Sequence, residues 1–127
     1  MTNRTIPFEI PNVNHGLVEV KGLLHFKKEE LVLEFDERDA IVGIIKSSLK
    51  ERSIPFSELE SISFKKKFFS NVVEISGRSM KSLQDIPGSQ QGSCKLKIKR
   101  KNRDEAERVV SSIRVALSEF KLREMEE

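Results

Sequence analysis

The chain has 127 residues, 37% of them hydrophobic and 34% charged, with eight Phe and neither Trp nor Tyr. That length fits one domain with little room for a second core, and the apolar share excludes compositional disorder. The net charge of +3 falls short of a dedicated nucleic-acid binder, and a single cysteine, Cys94, excludes an intramolecular disulfide and suits a reducing compartment.

The opening residues Met1 to Pro7 contain no apolar h-region, so no signal peptide is expected. Pro7 and Pro11 argue against a central strand and predict an edge strand or an extended arm over the first fifteen residues. From Gly16 a period of two sets in. Val18, Val20, Leu24 and Phe26 fall on one face, with Glu19, Lys21, His25 and Lys27 on the other. Gly22 interrupts the pattern, which predicts a bulge or a close backbone approach. Leu31, Leu33 and Phe35 alternate with Glu34 and Asp36, and Lys27-Lys28-Glu29-Glu30 forms the turn of an antiparallel hairpin.

The segment Ala40 to Leu49 is compatible with strand or helix, and its β-branched residues favour strand. Its run Ala40 to Ile45 is the longest apolar one, expected in the core and far short of the roughly 18 residues of a spanning helix. After Pro55, a helical turn at Ser57 to Glu60 precedes a strand bearing Ile62 and Phe64. A loop at Phe68 to Asn71, a short strand at Val72 to Ile75 and a Pro87-Gly88 turn follow. In the last strand Cys94, Leu96 and Ile98 face inward and Lys95, Lys97 and Lys99 outward. Ala106, Val109, Val110, Ile113, Leu117 and Phe120 then form a stripe at helical spacing, with Asn102 as the expected N-cap.

Antiparallel strands closed by one amphipathic helix predict an α+β fold. The run Ile54-Pro55-Phe56-Ser57-Glu58-Leu59-Glu60-Ser61-Ile62 is similar to a strand-and-turn of bacterial pleckstrin-homology-like domains. The stretch Leu96 to Glu107 resembles their last strand and helix start. The likeness spans roughly residues 17 to 120. It implies a partly open antiparallel barrel of about seven strands capped by the C-terminal helix. On that frame 1–15 is an N-terminal extension, 16–101 the barrel, 102–122 the capping helix and 123–127 a tail. The fold serves lipid, peptide and protein binding alike. Lipid-binding members of that wider fold carry a basic motif in the first hairpin loop. Here Glu29 and Glu30 answer Lys27 and Lys28, which argues against specific phosphoinositide recognition and leaves docking on an anionic surface open.

No acidic residue occurs between Ile86 and Arg103, while Lys95, Lys97, Lys99, Arg100, Lys101 and Arg103 accumulate. Lys65, Lys66 and Lys67 extend this patch if the loops meet, and Phe68 and Phe69 beside them have the composition of a membrane-insertion tip. The alternative is a solvated strand face with one of the two rings in the core. Val115 and Leu122 lie opposite the helical stripe and are candidates for self-association. His15 and His25 are too isolated for a metal site, and neither a phosphate-binding loop nor a nucleophile motif is present in the sequence. The expected function is therefore a non-catalytic module with no cofactor and no small-molecule substrate. It makes protein–protein contact or self-associates, with docking on an anionic membrane as the alternative and nucleic acid third. A cytoplasmic location is expected, with the inner membrane face as the site of any peripheral docking.

Overall fold

The computed structural model describes residues 4–45, 47–68 and 70–126. Seven strands are followed by one helix: β1 (Thr5–Val13), β2 (Val18–Lys27), β3 (Glu30–Asp39), β4 (Lys50–Pro55), β5 (Leu59–Lys66), β6 (Asn71–Gly77), β7 (Ser93–Ile98) and α1 (Arg103–Met125). They form one antiparallel sheet in the order β4-β3-β2-β1-β7-β6-β5, which does not close because its edges, β4 and β5, remain unpaired. A 3₁₀ turn at Phe56–Glu58 carries the chain from one edge to the other. The α+β architecture, a partly open barrel with a C-terminal helix, is the one expected.

The alternation in β2, β3 and β7 sorts their side chains as the pattern requires. Val20, Leu24, Leu33, Phe35, Leu96 and their neighbours are buried on the concave face. The stripe of α1 from Ala106 to Leu117 completes this core, packing against β5, β1 and β6. Phe56 lies at its centre, stacked on Phe26 (centroids 6.2 Å apart) and edge-on to Phe120 (5.9 Å). The β6–β7 connection is anchored by Leu83 and Ile86, both buried, and turns at Pro87-Gly88 with Ser89 N donating to Ile86 O at 3.1 Å.

Three expectations are corrected. First, residues 5–13 are neither an arm nor an edge: β1 lies inside the sheet, between β2 and β7. The prolines are tolerated there for a geometric reason. Phe26 N donates to Arg4 O, so alternation places the hydrogen-bonded pairs at Ile6, Phe8 and Ile10, and Pro7 falls opposite Leu23 on a non-bonded pair. Its missing N–H faces β7, where Glu9 and Lys97 are the one paired position. Pro11 falls in the irregular stretch between Ile10 and Val13.

Second, Ala40 to Leu49 is neither strand nor core but the β3–β4 connection, and its apolar side chains are exposed. Third, α1 extends to Met125, beyond residue 122. Arg78 grips Glu124 with its two terminal guanidinium nitrogens (2.7 and 3.1 Å) and holds that carboxyl below its usual range, while Lys121 and Arg123 reach Glu60 and Glu29. Asn102 does precede the helix, but its side chain makes no capping bond, because the chain enters through a 3₁₀ turn at Arg100–Asn102.

Candidate functional site

The basic tract begins on β7, whose pleat turns Lys95, Lys97 and Lys99 to the outer face while Cys94, Leu96 and Ile98 enter the core. Asn71 pairs with Ile98, and Lys67 N donates to Ser70 O at 2.7 Å, so the tight β5–β6 turn sits beside the end of β7. The 3₁₀ turn then delivers Arg100 and Arg103 to the same place. The result is a cleft of about 230 Å³ lined by Lys67, Phe68, Asn71, Lys97, Lys99, Arg100 and Arg103, with no acidic side chain in its wall. Phe68 is 92% exposed at this cleft, not buried. Phe69 lies outside the described residues.

The remaining basic residues are distributed elsewhere. Lys101 lines a neighbouring hollow of about 250 Å³ over the β1–β7 seam, shared with Lys21, Lys97, Lys99 and Glu9. Lys65 is bound to Glu74 at 2.7 Å, which holds that carboxyl below the usual carboxylate range, and Lys66 pairs with Glu107 at 3.1 Å. Lys95 lines a third hollow with Glu74, Gln90 and Gln91. Of the ten residues expected to form one anionic-surface site, five therefore share the cleft: Lys67, Phe68, Lys97, Lys99 and Arg100. Two more, Lys65 and Lys66, are already answered by carboxylates.

Arg103 is an addition that the charge run contains but does not single out. It opens α1, where the helix dipole disfavours a cation, and its Nε is buried without a hydrogen-bond partner. Asp104 Oδ1 stands 3.6 Å away, beyond hydrogen-bonding reach. Asn71 is the other addition, the one buried polar residue among those described. Its place in the inward register of β6, level with Val73 and Ile75, is the sequence signal for it.

No family model, curated protein or solved structure matches this chain. Among the described residues no group of three His, Cys, Asp or Glu side chains gathers to hold a metal, and no helix is long and apolar enough to cross a membrane. His25 sits on the outer face between Thr5 and Glu34, bonded to both. Cys94 is buried, and burial pushes its thiol up to about 12, so the nucleophilic thiolate is suppressed at neutral pH. Native protein is expected to leave Cys94 unmodified by a thiol reagent until denaturant is added, read as the absorbance released by a disulfide chromophore. Stoichiometric labelling of the folded chain at neutral pH would contradict this.

The second surface feature is one that pattern reasoning placed in the core. Leu17, Ile41, Val42, Ile44, Ile45 and Leu49 are between 56% and 85% exposed, at one end of the barrel. The loop that carries them is organised from within. Asp39 Oδ1 accepts from Ile41 N and Val42 N (2.9 and 3.0 Å), and Gly43 N donates to Asp39 O. Asp39 N donates to Ile44 O, and Ala40 N to Leu17 O. Gly43 takes φ of +75° in open space, the conformation such a turn demands. Aspartate ahead of the run and glycine within it are the turn signals that the β-branched residues outweighed. On the far side of the helix, Val115 and Leu122 are exposed as expected.

Proposed function

We propose that this chain is a non-catalytic contact module that self-associates through the apolar β3–β4 loop. The observation that carries the reading is the display of five apolar side chains, Ile41, Val42, Ile44, Ile45 and Leu49, on a loop whose amides at Ala40, Ile41, Val42 and Gly43 are already bonded, with Leu17 of the β1–β2 turn exposed at the same end. Surface of that kind gains by leaving water and loses no backbone hydrogen bonds in doing so. Burying such a side chain fully contributes about 1.5–3 kcal/mol. Several together reach the order of the roughly 4–15 kcal/mol that association costs. A reversible oligomer of modest affinity is the natural outcome.

Strand addition is the less favourable route. The free edge of β4 reads Lys50-Glu51-Arg52-Ser53, and charged residues of this sort guard an edge against pairing. Val115 and Leu122 remain a second candidate surface, but they stand two turns apart among Ser111, Ser118 and Glu119 and form no continuous patch.

Light scattering on a sizing column tests the reading. Wild-type protein is expected to exceed its 14.6 kDa monomer mass increasingly with concentration. Ile41→Asp with Ile44→Asp is expected to return it to monomer with an unchanged circular dichroism spectrum. A wild-type chain that stays monomeric at high concentration would defeat the proposal. Dissociation by Val115→Glu with Leu122→Glu, and not by the loop variant, would move the contact to the helix.

A further inference from the structure

We propose that the cleft between the β5–β6 turn and the start of α1 binds a phosphate-type oxyanion. It stands apart from the loop just discussed. β7 runs antiparallel to β1 with Lys97 opposite Glu9, and the cleft lies toward the N-terminal end of β1. The apolar loop lies by its C-terminal end, where Val13 pairs with Val18 and Val18 with Asp39.

Five cationic side chains, Lys67, Lys97, Lys99, Arg100 and Arg103, line about 230 Å³ with no carboxylate among them. Among the described residues, Lys67, Lys97, Lys99 and Arg100 form no ion pair, whereas neighbouring Lys65 and Lys66 each have one. Gathering like charges in so small a space is unfavourable, and a bound anion reverses the sign of that interaction.

Asn71 is 7% exposed and lines the cleft, and its side-chain amide, which keeps some contact with solvent, forms no hydrogen bond among the described residues. Arg103 Nε is buried and has no hydrogen-bond partner, with the Asp104 carboxylate at 3.6 Å as its ion-pair partner. A buried donor such as Arg103 Nε is rarely left without a hydrogen bond, and an anion in the cleft would supply one. The ammonium, guanidinium and amide groups in this wall all donate, so the complementary ligand is one that only accepts. A phosphate group fits that requirement, with about 1.5–2 negative charges and three acceptor oxygens. A single carboxylate offers half the charge and would leave more of the donors unmet. The small volume suits a phosphate or diphosphate group, either free in solution or presented as a lipid headgroup.

Isothermal titration calorimetry with inorganic pyrophosphate at low salt, with vesicle sedimentation alongside, tests the site. Saturable binding is expected, weakened about tenfold or more by Lys97→Ala with Arg100→Ala, since each charged hydrogen bond contributes about 1.5–3 kcal/mol. Lys21→Ala with Lys95→Ala removes the same charge from outside the cleft and is expected to change affinity little. Both pairs are surface residues, and circular dichroism checks that each variant is folded. Pyrophosphate binding without sedimentation on phosphatidylglycerol vesicles assigns a soluble ligand. Sedimentation on phosphatidylglycerol but not phosphatidylcholine vesicles, released by Lys97→Ala with Arg100→Ala, assigns a headgroup. The proposal is overturned if neither probe binds, or if the two double variants weaken binding equally, because the attraction would then be diffuse. Since the β3–β4 loop variant leaves the cleft intact, loss of self-association and loss of anion binding are separately readable.

Discussion

Gly22→Ala is expected to destabilise the protein by at least about 3 kcal/mol, a large effect for the addition of one methyl group. A Cβ at this position would stand 2.1 Å from Glu34 O and 2.8 Å from Phe35 Cβ on the adjoining strand. Gly22 pairs with Phe8 on one side and Phe35 on the other, in the middle of the β1-β2-β3 ladder. The clash falls on backbone, which gives way only by spreading two paired strands. Phe35, 1% exposed, would be displaced with them. With neither Trp nor Tyr in the chain, urea unfolding is best followed by far-ultraviolet circular dichroism. Gly43→Ala is the useful contrast. Its Cβ meets nothing within 4 Å, so the positive φ alone sets the cost, at about 1 kcal/mol. Equal losses at the two positions would show that the close approach at Gly22 is not what matters.

Phe56→Ala is expected to cost about 3–5 kcal/mol, the range for emptying a buried aromatic site. The ring is fully buried and touches Phe26 of β2 and Phe120 of α1, while its backbone sits in the turn joining β4 to β5. Three parts of the barrel thus meet on one side chain where the sheet fails to close. The backbone at this residue is also held, with Phe56 N donating to Glu29 O and Phe56 O accepting from Arg78 Nη2. The cavity is therefore expected to collapse poorly, which places the loss toward the upper end of the range. Phe56→Leu retains most of the volume and is expected to lose less than half as much. A Phe56→Ala variant within about 1 kcal/mol of wild type would mean that the open edge of the barrel rearranges freely, contrary to this account.

The two regions misplaced by pattern are instructive together. Residues 5–13 look unfit for a central strand because proline cannot donate to a ladder, yet Pro7 faces the one seam where the ladder is nearly absent. Residues 40–49 look like core because they are apolar and β-branched, yet Asp39 and Gly43 fold them back as a turn. At Pro7 a residue-type preference was outweighed by the hydrogen-bond pattern of the neighbouring strands, which composition does not encode, and at 40–49 by the local turn that Asp39 and Gly43 set. The cleft shows a milder form of the same effect. Its cations are visible as a run in the chain, but the carboxylates Glu74 and Glu107, which claim Lys65 and Lys66 and leave Lys67 without an ion pair among the described residues, come from other elements.

Sequence alone determined the strands β2, β3 and β7, their inward faces, and the buried stripe of α1. A period of two or of 3.6 is a local property, and burying one face follows from it directly. Tertiary structure decided that β1 lies inside the sheet, that the apolar loop is displayed, and that Lys67 and Asn71 meet Lys97, Arg100 and Arg103 in one cleft. Those outcomes depend on which strands pair across long separations and on the register they take. That selection is made by the energy of the whole core, which no window of the chain contains.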